Sequence, residues 1–169
     1  MNSQNWTSFK KMIYIKGNIE NLYELWATSQ GICSWFLSEA TFKRDAVIIN
    51  SNQLAKAGDT FEWKWHNWDG SETGEILEAN HKNQIVFTFA DGLVSISLKE
   101  EKERVLVILE QSSIPTDDKS KMEIYNGCSN GWAFWLTNLK AYVEHGILLN
   151  ETEIDLRNIE MSNFQFVNM

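Results

Sequence analysis

Hydrophobic and polar positions change their spacing along the chain. The segment 9–15, which ends before Gly17, is mainly apolar and β-branched or aromatic, and apolar residues then recur every three or four residues at 19–26. The first segment predicts a strand and the second an amphipathic helix. Asn18 is a favourable N-cap for that helix. A short second helix is predicted after Thr28, although Gly31 weakens it.

From residue 40 the period changes to two, apart from an irregular stretch at 46–57. Alternation is clearest at 61–66, where aromatic residues take every second position. Tight-turn signals at Asp69-Gly70 and Asp91-Gly92 separate neighbouring strands. The run 105–109 is apolar at every position, which predicts a strand covered on both faces. We therefore expect about six antiparallel strands in series.

After Pro115 the period returns to that of a helix. A stripe of apolar residues at three- and four-residue spacing runs from Met122 to Val143, and Gly146 is expected to end the helix. Strands in series followed by one long helix predict an α+β domain. In such a domain a curved antiparallel sheet wraps around the helix and leaves room for a cavity between them.

Composition and charge narrow the class of protein. A chain of 169 residues corresponds to about one domain. Its net charge of −8 argues against nucleic-acid and membrane partners, since both bind a basic face. Cys33 and Cys128 fit a reducing compartment. No apolar run reaches the length of a membrane span, and the first residues lack the centre of a signal peptide. We expect a soluble cytoplasmic domain.

Eight tryptophans are an unusual number for one domain. Tryptophan combines a large apolar ring system with one N–H donor. Their number suggests a large shaped interior or an interface. The alternative is an aromatic-rich core with no such role.

Several strand sequences resemble a known superfamily. The segments 58–65, 74–78 and 84–89 are similar to strands of the START-like (SRPBCC) superfamily, in the branch homologous to the activator of the ninety-kilodalton heat-shock protein ATPase. Residues 130–146 look like the C-terminal helix of that branch, and the resemblance spans about 10–146. It implies a helix-grip fold (START-like, Bet v-like) with a hydrophobic pocket between the sheet and the long helix.

The resemblance also divides the chain. Residues 1–146 are expected to form the helix-grip domain, and 147–169 an apolar tail that the family pattern does not require. His81-Lys82 stands where the family often has a proline turn. This departure is local and leaves the predicted fold unchanged.

Catalytic and metal-binding motifs are missing from the sequence. The three histidines and two cysteines do not have the spacing of zinc ligands, and no nucleophile elbow, phosphate loop or dinucleotide fingerprint occurs. We therefore predict no catalytic residue, metal or cofactor.

Glu110 is the one polar residue that we consider for a role inside the domain. If Leu106 and Ile108 face the helix, Glu110 does too, and burial would raise its pKa. The alternative is that the other face points inward and Glu110 is solvated.

Three functions are compatible with these features. We favour binding of a small hydrophobic or aromatic ligand, lipid-like or polyketide-like, without covalent chemistry. An enzyme resembling the polyketide cyclases and aromatases of this fold is the second, and it needs convergent polar groups, for which only Glu110 and Tyr125 are available. A co-chaperone-like protein interaction is the third. The predicted ligand-binding residues are Trp35, Phe61, Trp63, Trp65, Phe87, Phe89, Ile96, Leu106, Ile108, Glu110, Tyr125, Cys128 and Trp132.

The tail is too apolar for a solvated disordered end, which is the alternative. Apolar and polar residues alternate at 154–157 and 164–166, which predicts extended strand. We expect the tail to cover the outer face of the sheet, or to pair with a sheet edge, because the strand at 105–109 has an apolar face to spare. This contact would form within one chain or across a homodimer, and we favour the homodimer.

Overall fold

The computed structural model describes residues 5–160 and 165–169. Three helical segments between Asp118 and His145 follow one another directly, and we call them together the C-terminal helix. The elements in chain order are β1 (Phe9–Ile15), α1 (Ile19–Ala27), α2 (Ser29–Trp35), β2 (Glu39–Arg44), β3 (Val47–Ile48), β4 (Thr60–Lys64), β5 (Ser71–Ala79), β6 (Gln84–Phe89), β7 (Gly92–Glu101), β8 (Arg104–Ser112), α3 (Asp118–Ser120), a π-helical stretch (Lys121–Asn126) and α4 (Gly127–His145).

The strands form one antiparallel sheet in the order β1-β8-β7-β6-β5-β4-β2-β3. Successive hairpins connect β4 through β8, and a register shift between Ile76 and Glu78 interrupts the pairing of β5 with β6. The curved sheet packs around the C-terminal helix, and buried residues from both form a single hydrophobic core. The predicted α+β helix-grip fold is confirmed.

Side-chain caps start the two short helices. The Asn18 side chain accepts a hydrogen bond from the backbone N–H of Asn21 at 2.7 Å, and Thr28 accepts one from Gly31 at 2.9 Å. Gly31 does not prevent α2 from forming. A Cβ atom at this position would lie 2.2 Å from the carbonyl oxygen of Glu24, so glycine is needed where α2 folds back against α1.

The two halves of the C-terminal helix are packed differently. Asp117 caps the start by accepting from the backbone N–H of Ser120 at 3.0 Å, and Gly146 ends the helix in the left-handed region. Throughout 118–131, a stretch that the structure describes in full, no residue is buried; burial begins at Trp132. The first half of the helix is therefore held by few core contacts.

The face of β8 that points into the core is the opposite of the one expected from the sequence. Val105, Val107, Leu109 and Gln111 point into the core, and the alternate residues of the strand point outward. The placement of Leu106, Ile108 and Glu110 on the inner face is therefore wrong. Because every residue of 105–109 is apolar, the sequence pattern does not distinguish the two faces. Glu110 instead forms an ion pair with Lys10 at 3.0 Å on the outer face.

The tail lies across one end of the domain and is held there by buried asparagines. Asn138 on α4 accepts a hydrogen bond from the backbone N–H of Leu149 at 2.6 Å and donates one to Asn150 at 3.1 Å. Asn67, in the β4–β5 connection, accepts from the N–H of Leu156 at 2.8 Å. None of the tail residues that the structure describes forms a strand, so the expected strand at 154–157 is wrong.

The second strand expected in the tail begins at Phe164. This residue and Met161, another apolar residue of the tail, lie outside the described residues. The visible part of that prediction, residues 165–166, is irregular. The described tail residues therefore meet the domain as irregular chain, through backbone groups and through side chains such as those of Asn150 and Arg157.

Candidate functional site

Aromatic side chains fill the space between the sheet and the C-terminal helix. Trp135 on α4 is the centre of this aromatic cluster. Its ring centroid lies 4.1 Å from Phe36, 4.8 Å from Trp132, 5.6 Å from Trp35, 5.9 Å from Trp63, 6.1 Å from Trp26 and 6.1 Å from Trp65. On the sheet side, Phe61 stacks on Trp63 at 4.3 Å.

The structure brings most of the predicted ligand-binding residues together in this cluster and the core around it. Six of them are buried there: Trp35, Phe61, Trp63, Phe87, Ile96 and Trp132. Trp65, Phe89 and Cys128 are partly buried and pack against the same core. These side chains contact one another across the interior. The interior is thus filled by the protein's own rings in this conformation.

Two buried tryptophans of the cluster have unpaired N–H groups. The indole nitrogens of Trp26 and Trp63 find no hydrogen-bond partner among the described residues, although both side chains are at most 2% exposed. By contrast, Trp35 donates to the carbonyl oxygen of Leu25 at 3.0 Å, and Trp132 donates to the Gln111 side chain at 2.8 Å. An unpaired buried donor costs about 1–3 kcal/mol. The cluster therefore contains two donors with unused hydrogen-bonding capacity.

Gln111 and Cys128 form the polar edge of the cluster. Gln111 is fully buried and also donates weakly to the carbonyl oxygen of Phe89 at 3.4 Å. Burial raises the pKa of the Cys128 thiol; a hydrogen bond with Gln111 partly opposes this, and the negative charge of Glu72 adds to it. Burial likewise raises the pKa of Cys33. Both cysteines are therefore protonated at neutral pH and weakly nucleophilic.

Four predicted site residues lie elsewhere. Tyr125 is on the lightly packed half of the C-terminal helix, where it meets Trp6 edge-on at 5.0 Å and Phe9 at 5.3 Å. Leu106, Ile108 and Glu110 are on the outer face of the sheet. The pair of polar groups that sequence reasoning assigned to an enzyme, Glu110 and Tyr125, is therefore not assembled in the interior.

Sequence reasoning left out Trp26, Trp135, Phe36 and Gln111. Trp26 and Trp135 each belong to a helical apolar stripe, which indicates packing without indicating a shared site. Gln111 follows Leu109 by two residues on β8, so the correct facing of that strand would have placed it inside. Phe36 follows α2 and carries no periodic signal.

Within the described ranges 5–160 and 165–169, no three His, Cys, Asp or Glu side chains are grouped as ligands for a metal ion. No helix there is long and apolar enough to cross a bilayer.

Comparison with models of known protein families identifies the family of this chain. The sequence model of the family described as Activator of Hsp90 ATPase homolog 1-like protein matches residues 16–144. The chain belongs to this family. The match includes both short helices, β2 to β8 and almost all of the C-terminal helix, and it stops short of the tail. A search of curated proteins finds no match.

Solved structures share the fold of this family member. The protein SSP2350 from Staphylococcus saprophyticus is 17% identical, with 83% of this chain and 94% of that chain covered and a TM-score of 0.66. The Aha1 dimer from Colwellia psychrerythraea is 18% identical, with 82% of this chain and 97% of that chain covered and a TM-score of 0.64. CalU16 from Micromonospora echinospora is 18% identical, with 81% of this chain and 74% of that chain covered and a TM-score of 0.59. At such identities the likeness establishes the fold alone.

Proposed function

We propose that this chain binds a small aromatic molecule carrying a hydrogen-bond acceptor, between the sheet and the C-terminal helix, without covalent chemistry. The observation that carries the proposal is the pair of unpaired indole N–H groups of Trp26 and Trp63 inside an aromatic cluster. Apolar sites with a few placed polar groups are typical of small-molecule binding. The ligand's rings would replace part of the ring-to-ring packing, and its acceptor would receive one of the two donors.

The unpaired donors give the site a preference for one ligand chemistry. In the free protein each unpaired N–H raises the free energy of the folded state. A carbonyl or ether oxygen that accepts from Trp63 removes this cost, whereas a hydrocarbon of the same shape leaves it in place. The site should therefore distinguish ligands by their acceptor more than by their size.

The lightly packed half of the C-terminal helix provides the route of entry. Residues 118–131 contribute no fully buried side chain, only partly buried ones such as Cys128, and include the π-helical stretch, so this segment moves at a lower cost than the rest of the helix. Trp132 is the first buried residue beyond it and lies 4.9 Å from Phe89. Moving Trp132 with the segment would open the cluster between helix and sheet.

Binding without chemistry is favoured over a cyclase-like reaction by the placement of polar groups. Glu110 is on the outer face of the sheet, and the Cys33 and Cys128 thiols have raised pKa values. Gln111, the polar side chain that does face the cluster, cannot transfer a proton as an acid or base. Gln111 can orient a ligand through its amide, and this is the role we assign to it.

We also propose that the chain forms a homodimer through its tail. Ile147, Leu148 and Ile154 are 45–59% exposed although the segment around them is anchored to the domain. Exposed apolar side chains on a fixed segment are suited to a protein interface. The Aha1 protein from Colwellia psychrerythraea, which shares the fold, is described as a dimer.

A matched pair of ligands tests the binding proposal. Fluorenone and fluorene have the same tricyclic shape, but only fluorenone has a carbonyl acceptor. We expect the chain to bind fluorenone about tenfold more tightly, the effect of one hydrogen bond to a buried donor, in a fluorescence or calorimetric titration. Equal affinities, or no binding of either compound, would contradict the proposal.

Three tryptophan variants locate the effect. Trp26→Phe and Trp63→Phe remove an unpaired N–H, so one of them should abolish the preference for fluorenone. Trp35→Phe is the control: it removes a similar volume, but its N–H is already bonded to Leu25. This control should keep the preference. It should also lose more stability than the other two, because the Leu25 carbonyl is left unpaired.

A further inference from the structure

A hollow lies on the flank of α4, next to the aromatic cluster. It is a cavity of about 460 Å³, within the size range of small-molecule sites. Gly127, Asn130, Gly131 and Phe134 line it from α4. These residues are three or four positions apart and so share one face of the helix.

Two glycines make the floor of this cavity. A Cβ atom built on Gly131 meets no other atom within 4 Å, and one on Gly127 reaches only the Met122 carbonyl oxygen at 4.0 Å. The space above both glycines is therefore open. Any larger side chain at Gly131 would project into it.

Aromatic and apolar side chains form the walls. Phe36 and Trp135 belong to the domain, whereas Phe166, Val167 and Met169 come from the tail. The tail is held in place by the buried asparagines described above and by the N–H of Glu151, which donates to the carbonyl oxygen of Asn168 at 2.7 Å. This second wall lies beyond the region that matches the family.

The polar groups around the cavity define the ligand. Among the described residues that line it, no side chain is charged, and the Asn130 and Gln165 side chains supply neutral amides. A charged ligand would find no charged side chain there and would lose hydration. A neutral molecule with an apolar body and one polar group can pack against the walls and form a hydrogen bond with one of the amides.

We propose that this cavity is a second binding site, for a small, neutral, mainly apolar molecule held between α4 and the tail. It is separate from the site between helix and sheet and goes beyond the function proposed above. Phe36 and Trp135 form walls here and also belong to the aromatic cluster, so the two sites share two rings.

Nile red, a neutral dye whose emission rises in apolar surroundings, is the probe. Titration of the full chain with the dye should saturate and should fit a single binding site at low dye concentration. Gly131→Leu places a side chain in the cavity from a Cβ position that meets no other atom, and it replaces a poor helix former, so it should weaken binding roughly tenfold or more without lowering the melting temperature. Thr137→Leu is the matched control, because it adds the same side chain at an exposed position of α4 and should leave binding unchanged.

Phe166→Ala, which removes part of the tail wall, should also weaken Nile red binding. Unchanged binding in Gly131→Leu, equal loss in Thr137→Leu, or no binding by the full chain would overturn this inference. The fluorenone preference reports separately on the interior. If Gly131→Leu loses Nile red and keeps that preference, the two sites are distinct; if Trp63→Phe alone weakens Nile red, the dye occupies the interior and the second site is refuted.

Discussion

Asp59 shows how one buried side chain joins three parts of the fold. Its carboxylate accepts hydrogen bonds from the guanidinium of Arg44 at 2.7 and 2.8 Å and from the backbone N–H of Lys56 at 2.8 Å. Its own backbone pairs with Ile76 on β5. Burial alone would raise the pKa of Asp59, but these hydrogen bonds and the positive charges of Arg44 and Lys56 together outweigh burial and lower it.

Asp59→Asn should therefore destabilise the protein in a pH-dependent way. We expect a loss of about 1–3 kcal/mol at pH 7 in urea unfolding. The pKa of Asp59 is lower in the folded than in the unfolded state, so its contribution is complete above about pH 4, the unfolded value, and disappears as the pH falls through the folded value. The difference between wild type and variant should accordingly shrink in acid.

An exposed pair provides the control for this prediction. Glu110 is about as far from Lys10 as Asp59 is from Arg44, but both partners are at least 40% exposed. Glu110→Gln should cost less than about 1 kcal/mol, as is usual for surface ion pairs. A cost of Asp59→Asn that is equally small, or independent of pH, would refute the role given to Asp59.

At the scale of elements, the C-terminal helix is stabilised unevenly. Residues 118–131 have no buried side chain, whereas Trp132, Trp135, Leu136 and Leu139 are all buried. Local opening follows the number of buried contacts, so the first half should open far more often.

Amide hydrogen exchange measures this difference. We expect backbone amides in 121–131 to exchange at least about tenfold faster than those in 135–143, since a difference of about 1.4 kcal/mol in opening free energy is enough. The strands β7 and β8, which pair over their full length, serve as the slow reference. Similar protection in both halves of the helix would remove the proposed route into the aromatic cluster.

The elements also show what the sequence could predict. Alternation at 61–66 and the helical stripe that contains Trp132 identified the sheet, the helix and most of the aromatic cluster, because one face of each is buried and the other is not. The facing of β8 was missed because 105–109 is apolar throughout. The hairpin after β6 turns on Ala90 and Asp91, both at positive φ, and not on Asp91-Gly92.

The tail was harder to place for a different reason. Asn67, Asn138 and Asn150 hold it through hydrogen bonds to backbone groups, and single asparagines leave no periodic pattern in the sequence. The unpaired N–H groups of Trp26 and Trp63 are equally invisible, since they depend on which neighbours each ring meets. Specific polar contacts in three dimensions were therefore the part that sequence reasoning could not reach.

At the scale of the whole molecule, the dimer proposal makes a prediction about mass. Light scattering during gel filtration should give twice the mass of the 19.6 kDa chain. Ile154→Asp, at a 59% exposed position of the tail, should produce a monomer because the interface would have to bury a charge. Val47→Asp, at an exposed position on the edge strand β3, is the control and should stay dimeric. A monomeric wild type would contradict the proposal.

The central claim is that the interior accepts a ligand through the unpaired N–H groups of Trp26 and Trp63. Nuclear magnetic resonance of the eight indole N–H groups measures this directly, with each signal assigned through its Trp→Phe variant. On addition of fluorenone, the signal of Trp26 or Trp63 should move in the direction of a newly formed hydrogen bond, and that of Trp35 should move much less. If fluorenone leaves the Trp26 and Trp63 signals unchanged at saturating concentration, the claim is wrong.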